Sequence, residues 1–525
     1  METPMTPLEF ARRARRLYPD REAVVDDDLR LTYEQFFDRC DRWSSVLQRE
    51  MAVRRGDRVA YIAPNTHAQL ESFYAVPQLG AVLVPINYRL TAEDFAYIIR
   101  HSGARVLCAH PDHLDAIDRV RSLLPGVEHY VSLDGATRRG WISYEQQLAA
   151  ASPEFERPEI AEGELVSLNY TSGTTARPKG VMITHRNEWV NVVGTLIHLP
   201  LGTGDRYLWT LPMFHANGWT FVWVVTAVGG THVCLPKVEA GRIFELVRRE
   251  RVSWLCAAPT VLIALASAPP EVRGEVPQGV HVVTAGAPPA AATIERLEGD
   301  LGWEVTQVYG LTETGPFLTV CEPRPEHARL GPAERAVIKA RQGVELLTSG
   351  ELRVVDPAGQ DVPADGVTMG EIVYRGNVIM KGYFNDPDAT AAVMGGGWFH
   401  TGDAAVMHPD GYVEIRDRIK DVIISGGENI SSVEVEGALL RHPAVQEAAI
   451  VGLPHPRWGE APFAFIVLKE GAEATPEDLI AFARERLAHF KAPHGVQFVP
   501  ELPKTATGKI QKYVLRKGAP AIVPQ

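Results

Sequence analysis

Short apolar runs alternate with helix-length segments through the first two-thirds of the chain. Arg58-Val59-Ala60-Tyr61-Ile62 has the composition of a buried strand, His67 to Leu79 the length of a helix, and Ala81-Val82-Leu83-Val84-Pro85-Ile86 is the next strand. Arg105-Val106-Leu107-Cys108-Ala109 repeats the pattern, and a helix is predicted from Leu114 to Leu124. Strand, helix, strand at this spacing requires parallel crossovers. The fold class is therefore α/β, with helices on both faces of a sheet.

After about residue 345 the pattern shortens and alternates, as in Gly350-Glu351-Leu352-Arg353-Val354-Val355 and Gly370-Glu371-Ile372-Val373-Tyr374. Turn clusters such as Asp356-Pro357-Ala358-Gly359 separate these runs and predict an antiparallel β-rich subdomain. Beyond residue 420 a small α+β unit is expected. Ser431-Ser432-Val433-Glu434 has capping-box spacing for a helix running to about Arg441, and Thr475-Pro476 opens another. Glu447 to Leu453 and Phe463 to Leu468 read as strands between them. The simplest organisation is a large N-terminal α/β domain with a small C-terminal lid.

The uncharged run Gly218 to Pro236 could span a bilayer on length alone, but it contains the Gly229-Gly230 break and His232. A buried helix turning into a buried strand is expected there. The 525 residues carry 53 Lys and Arg against 65 Asp and Glu, a net charge of −12, without a long basic block. That disfavours a broad nucleic-acid or anionic-membrane surface but leaves room for a local pocket for a phosphorylated ligand. Cys40, Cys108, Cys234, Cys256 and Cys321 form no C-x-x-C pair, which argues against a zinc site or a disulfide framework. The first residues lack a signal peptide's apolar stretch, and the last carry no targeting signal. The expected address is the cytoplasm.

The segment richest in candidate chemistry is Tyr170-Thr171-Ser172-Gly173-Thr174-Thr175-Ala176-Arg177-Pro178-Lys179-Gly180-Val181. Hydroxyls and small residues here can bring O–H and N–H donors onto a polyphosphate, with Lys179 supplying charge. A P-loop is excluded, because Pro178 stands where a glycine should and no Ser or Thr follows Lys179. A polar surface loop is the alternative.

This segment resembles the phosphate-binding signature of adenylate-forming enzymes: acyl-CoA synthetases, luciferases and nonribosomal peptide adenylation domains. Similar segments recur in order: Pro212 to Trp219, Thr284 to Pro289, Tyr309 to Glu313, Thr401-Gly402-Asp403, Arg416 to Asp421, Ser425 to Asn429 and Pro503 to Lys509. The resemblance implies that a carboxylate attacks the α-phosphate of ATP to give an acyl-adenylate, and that a thiol, usually coenzyme A, then takes the acyl group. It implies a medium- or long-chain fatty acid as substrate. An aryl acid remains open, as do transfer to an amine or carrier protein and a catalytically silent adenylate- or acyl-binding protein. It also implies a division into residues 1–416, a hinge at 417–420 and a mobile lid at 421–525, in a monomer or homodimer.

By motif position, Thr171, Ser172, Gly173, Thr174, Thr175 and Lys179 would hold phosphate, and Thr171 with Glu313 would hold Mg2+. Ala285, Gly286, Ala287 and Pro288, with Gln307, Val308 and Tyr309, would wall the adenine slot, and Thr312 would reach the α-phosphate. Asp403 would accept the ribose hydroxyls, with Arg418 beside it. Lys420 takes the hinge position, and Lys509 is the lysine expected to drive adenylation. His215, Asn217, Gly218, Trp219 and Gly310 would line the acid site, with Trp219 as a gate. Gly426, Gly427 and Trp458 would meet coenzyme A. Several of these have plainer alternatives: Glu313 as a helix first-turn carboxylate, Asp403 as a turn residue, Arg418 in a surface pair with Asp417 or Asp421, and His215, Trp219 and Trp458 as core. Ala176 and Ile424 depart from common family residues, and residues 333–344 give no functional signal.

Overall fold

The apolar runs near the start become parallel strands. Val82–Ile86, Arg58–Ile62, Val106–Ala109 and His129–Ser132 lie side by side in an eight-stranded sheet, with Leu165–Tyr170 parallel on the other flank of Val82–Ile86. Pro85 is tolerated because that flank is paired only through Leu83 and Ser167, so the missing N–H interrupts no ladder beyond it. The computed structural model describes residues 2–133, 135, 138–171, 178–286, 289–426, 428–504 and 510–519.

A second, nine-stranded sheet has a parallel centre running from Glu304–Gly310 through His281–Thr284, Trp254–Ala257, Arg206–Leu208 and Thr231–Val233 to Glu22–Asp26. Residue alternation along the strands sorts the cores. Val59 and Tyr61 face one cluster with Trp254 and Cys256, whereas Ala60 and Ile62 face a second and Leu255 and Ala257 a third. The shared cluster takes in the helices Tyr33–Arg49, His67–Ala75 and Phe221–Val228, so the large domain is built as α/β/α/β/α layers. A five-stranded antiparallel sheet of Glu351–Val355, Met369–Arg375, Met394–Gly395, Trp398–Met407 and Val413–Arg418 forms the β-rich subdomain. The C-terminal unit has its own five-stranded sheet and its own core around Ile423, Val435, Ile450 and Ile466.

Most boundaries follow local chemistry. Ser431 accepts from the Glu434 N–H at the start of Ser432–Leu439, and Thr475 forms a reciprocal box with Asp478 ahead of Pro476–Arg484. The helix expected from His67 to Leu79 stops at Ala75, because Pro77 starts a separate 3₁₀ turn. That from Leu114 stops at Val120, with Arg121–Leu123 again 3₁₀. Residues 333–344, silent in sequence, contain most of the helix Pro332–Lys339. The run from Gly218 to Pro236 is a buried helix, Phe221–Val228, turning at Gly229 into the strand Thr231–Val233. Among the described residues no helix is long and apolar enough to cross a membrane. All five cysteines are buried and unpaired, and burial pushes each thiol up.

His232 lies on Thr231–Val233, an interior strand of the nine-stranded sheet, and is fully buried. The Trp209 Nε1–H, which can only donate, lies 3.2 Å from its Nδ1, so its proton is on Nε2, 3.0 Å from Thr226 Oγ1. A second proton would have to go on Nδ1 and break the indole bond, and burial alone lowers the imidazole from 6.5 to about 3. The unfolded chain therefore binds the proton first, and stability present above pH 6.5 is lost as pH falls, at about 1.4 kcal/mol per unit. His232→Gln cannot titrate. The stability gap between wild type and this variant is expected to shrink by about 2 kcal/mol between pH 7 and pH 5. Denaturant melts at the two pH values measure it; an unchanged gap would mean that His232 is protonated in the native state.

Candidate active site

Strands Leu165–Tyr170 and Gly180–Thr184 form an antiparallel pair, and the Thr171 N–H donates to the Lys179 carbonyl at 3.0 Å to close the base of the loop between them. Ser172, Gly173, Thr174 and Thr175 lie outside the described residues. Lys179 is held at one side of that base, its Nζ 4.7 Å from the ring centroid of Tyr383. Tyr383 belongs to Gly382–Tyr383, a short strand added to Gly180–Thr184, and its hydroxyl donates to Glu313 Oε1 at 2.9 Å. Burial, followed by the neighbouring carboxylate, keeps that phenol protonated and thus a donor. Glu313 and Thr312 sit in the 3₁₀ turn Thr312–Thr314, pinned where the Met380 N–H donates to the Glu313 carbonyl at 2.8 Å. A cation and a carboxylate far apart in sequence thus share one aromatic ring. Sequence reasoning missed Tyr383, which lies outside every motif singled out there.

A second junction lies at the end of Glu304–Gly310. The buried Asp403 carboxylate accepts the Tyr309 hydroxyl at 2.6 Å through Oδ2 and meets Arg418 Nε at 2.9 Å through Oδ1. Asp403 and Arg418 are directly paired across Trp398–Met407 and Val413–Arg418, and Arg418 also donates to the Thr401 carbonyl at 3.1 Å. Asp403 holds the guanidinium above its ordinary range against the cost of burial. Arg418 is therefore paired with Asp403 and not with Asp417 or Asp421. Asp403 lies inside a strand, not in a turn.

Beside Tyr309, Val308 and Gln307 are buried, and Gln307 is in register with Thr284 of the next strand. Gln307 Oε1 and Thr284 Oγ1 are both buried without a partner among the described residues, so two adjacent polar groups are left for a ligand to satisfy. Ala285 is buried and Gly286 exposed just past that strand; Ala287 and Pro288 lie outside the described residues. At Gly310 a Cβ would stand 1.7 Å from the Pro316 carbonyl oxygen, so only glycine lets the chain double back there into Phe317–Val320.

The third part is a strained turn. Ala216, Asn217, Gly218, Trp219 and Thr220 all have left-handed φ, from 37° to 65°. Left-handed backbone costs roughly 1–2 kcal/mol for each residue with a Cβ, so tertiary contacts must hold this segment. Gly218 has no room for a side chain, since a Cβ would lie 2.6 Å from Trp209 Cζ3. Asn217 Nδ2 donates to Ser167 Oγ at 2.7 Å and to Glu188 Oε1 at 2.5 Å. His215, half-buried, leads into the turn. Trp219 is 4% exposed, its ring edge-on to Phe317 at 6.0 Å.

In the C-terminal unit, Trp458 is 36% exposed and is not a core residue. The Gly426 N–H donates to its carbonyl at 2.8 Å, and a Cβ on Gly426 would stand 2.9 Å from the indole, so glycine at φ +61° lets the ring lie on the loop. Gly427 and Lys509 lie outside the described residues. Lys420 is exposed in the short turn Ile419–Asp421. Described hydrogen bonds and ion pairs from residues 422–519 to earlier residues end between Arg416 and Asp421: Ser431 on the Arg416 carbonyl, Ser432 on Asp417, the Val422 N–H on the Arg418 carbonyl, and Arg516 on Asp421 at 2.7 Å. Among the described residues no cluster of three or more His, Cys, Asp or Glu could hold a metal.

Residues 10–384 match the AMP-binding enzyme family, and residues 434–509 match the AMP-binding enzyme C-terminal domain. A trans-cinnamate:CoA ligase from Petunia hybrida, named as peroxisomal, is 42% identical over 98% of this chain and 94% of its own. An acetate/butyrate–CoA ligase from Arabidopsis thaliana, also named as peroxisomal, is 42% identical over 99% of this chain and 96% of its own. The crystal structure of an anthranilate CoA ligase in complex with anthranoyl-AMP covers 99% of both chains with a TM-score of 0.89 and 27% identity. The chain belongs to the AMP-binding enzyme family, in the company of relatives that are CoA ligases.

Proposed function

We infer that the protein is an AMP-forming acid–CoA ligase. The observation that carries this is the continuous stretch Tyr309 to Glu313, which joins the Asp403–Arg418 junction at one end to the Glu313–Tyr383–Lys179 array at the other. A nucleotide laid along it meets ribose acceptors first and phosphate ligands next. Asp403 can accept two ribose hydroxyls once Arg418 turns toward phosphate, and the unpartnered Gln307 amide oxygen can take an adenine amino group.

In the first half-reaction, a carboxylate oxygen bonds to the α-phosphorus and the bridge to pyrophosphate breaks. Lys179, the donors of the Thr171 loop, Thr312 and Lys509 offset the meeting of two anions. Glu313 fits a divalent cation: its partner is a neutral hydroxyl, which leaves the carboxylate charge unspent, and Thr171 can add an oxygen. Mg2+ held by these two residues would supply positive charge against the charge developing on the phosphates. In the second half-reaction the thiol sulfur of coenzyme A bonds to the acyl carbon, the bond to AMP breaks, and the thiol proton leaves to solvent. Exposed Trp458 lying on Gly426 supports a pantetheine track, which favours coenzyme A over an amine or carrier protein. Lys420 then acts as the hinge between residues 1–416 and 421–525, supported by the confinement of the inter-unit bonds to 416–421.

The motif resemblance points to medium- or long-chain acids, but the buried Trp219–Phe317 pair supports an acid pocket with a closed end. We favour a short-chain or flat aryl acid, the kinds named for the Arabidopsis and Petunia relatives. The buried thiols suit a reducing compartment, and the cytoplasm stays the proposed address.

Pyrophosphate release over a panel of acids, with and without coenzyme A, tests the reaction; acid-dependent release that yields product only with an added amine would replace the coenzyme A reading. Lys509→Ala is expected to cut adenylation roughly 10²–10³-fold, the scale of losing one preorganised donor. Thioester formation from presynthesised acyl-adenylate should persist, and an equal loss in both half-reactions would remove that role. Trp219→Ala opens the closed end. It is expected to raise kcat/KM for an eight-carbon acid over butyrate at least tenfold, while the cavity costs about 3–5 kcal/mol of stability. A lower melting temperature with an unchanged ranking of acids would leave Trp219 a core residue only.

A further inference from the structure

The left-handed turn is held by a residue outside every motif singled out in the sequence. Glu188 lies on the helix His185–His198, three residues past its Thr184 cap–His185 start, and is fully buried. Its Oε1 accepts from Asn217 Nδ2 at 2.5 Å, and the same amide reaches Ser167 on Leu165–Tyr170 at 2.7 Å. Asn169, one pleat along that strand, donates to Ser167 Oγ at 3.0 Å. Oε2 of Glu188 and Oδ1 of Asn217 and Asn169 are buried without partners among the described residues.

Most buried carboxylates sit beside a cation. Glu188 does not: burial pushes its carboxyl up to about 8, with only the Asn217 hydrogen bond acting the other way. Burial thus favours the protonated, uncharged carboxyl, and among the described residues no cation faces it to make an ion pair. A leucine would fill the same space on this helix face without the cost of burying an acid. What the carboxyl provides is one short hydrogen bond, aimed at the second of five left-handed residues.

We propose that Glu188 is a positioning residue for the acid substrate: acting through Asn217, it locks the turn Ala216–Thr220 in its left-handed form and so sets where His215 and Trp219 stand. The proposal rests on the reading that His215 to Trp219 line the acid pocket. Ser167 joins the clamp from the strand that leads into the Thr171–Lys179 loop, so acid and phosphate sites are braced on one strand.

Steady-state pyrophosphate release, varying acid and ATP separately, tests it. Glu188→Ala is expected to raise the acid KM at least tenfold and change the ranking of acids, with the ATP KM within about twofold of wild type. Glu188→Gln keeps an acceptor for Asn217 and should return both values to within threefold. Asn217→Gly removes the clamp but tolerates left-handed backbone, so it should reproduce the alanine effect, and it serves alone if Glu188→Ala fails to fold. Glu188→Ala/Asn217→Gly should be no worse than the worse single variant. A folded Glu188→Ala with unchanged acid KM and ranking, a glutamine variant as impaired as alanine, or additive losses in the double variant would each overturn the proposal. If Trp219→Ala leaves acid kinetics untouched while Glu188→Ala disturbs them, the acid-pocket reading is what fails.

Discussion

One buried carboxylate ties the architecture together. Asp403 takes a hydroxyl from the nine-stranded sheet through Tyr309 and a guanidinium from its own antiparallel sheet through Arg418, two residues before the proposed hinge at Lys420. A charge this enclosed is tolerable only while hydrogen-bond donors face it, here Tyr309 and Arg418. The parallel layers, the β-rich subdomain and the approach to the C-terminal unit therefore have to agree in position at a single point. The site grows outward from that agreement, because the strand carrying Tyr309 continues into Gly310, Thr312 and Glu313.

Strain is distributed unevenly around this point. The nucleotide side is built from regular strands whose ends present side chains in register, so its geometry costs little beyond the burial of Asp403. On the acid side lies a left-handed turn that backbone energetics oppose and side chains must hold. On the proposed assignment, nucleotide recognition is set by the fold itself, whereas acid recognition is set by local contacts. That division fits a family in which relatives of similar length are named for cinnamate, acetate or butyrate.

The α/β class, the change to antiparallel strands and the separate C-terminal unit were legible in the sequence because each leaves a periodicity. Asp403, Arg418 and Glu313 were legible only as members of ordered motifs; taken singly, each had a plainer explanation. Tyr383 and Glu188 left no trace. Tyr383 reaches the site through a two-residue strand, too short to show a pattern. Glu188 is one acid among helix residues, and its burial depends on how Phe221–Val228 packs against that helix. The left-handed turn was equally hidden, since only one of its five residues is glycine.

The state of the cysteines has a practical consequence. With every native thiol sealed in the interior and held in its unreactive form, alkylating dyes have nothing to attack on the folded surface. A single cysteine placed on the exterior of the large domain and another on the small one would carry donor and acceptor fluorophores without background. The proposed swing about residues 417–420 could then be watched for in individual molecules as each substrate arrives, on a protein otherwise left intact.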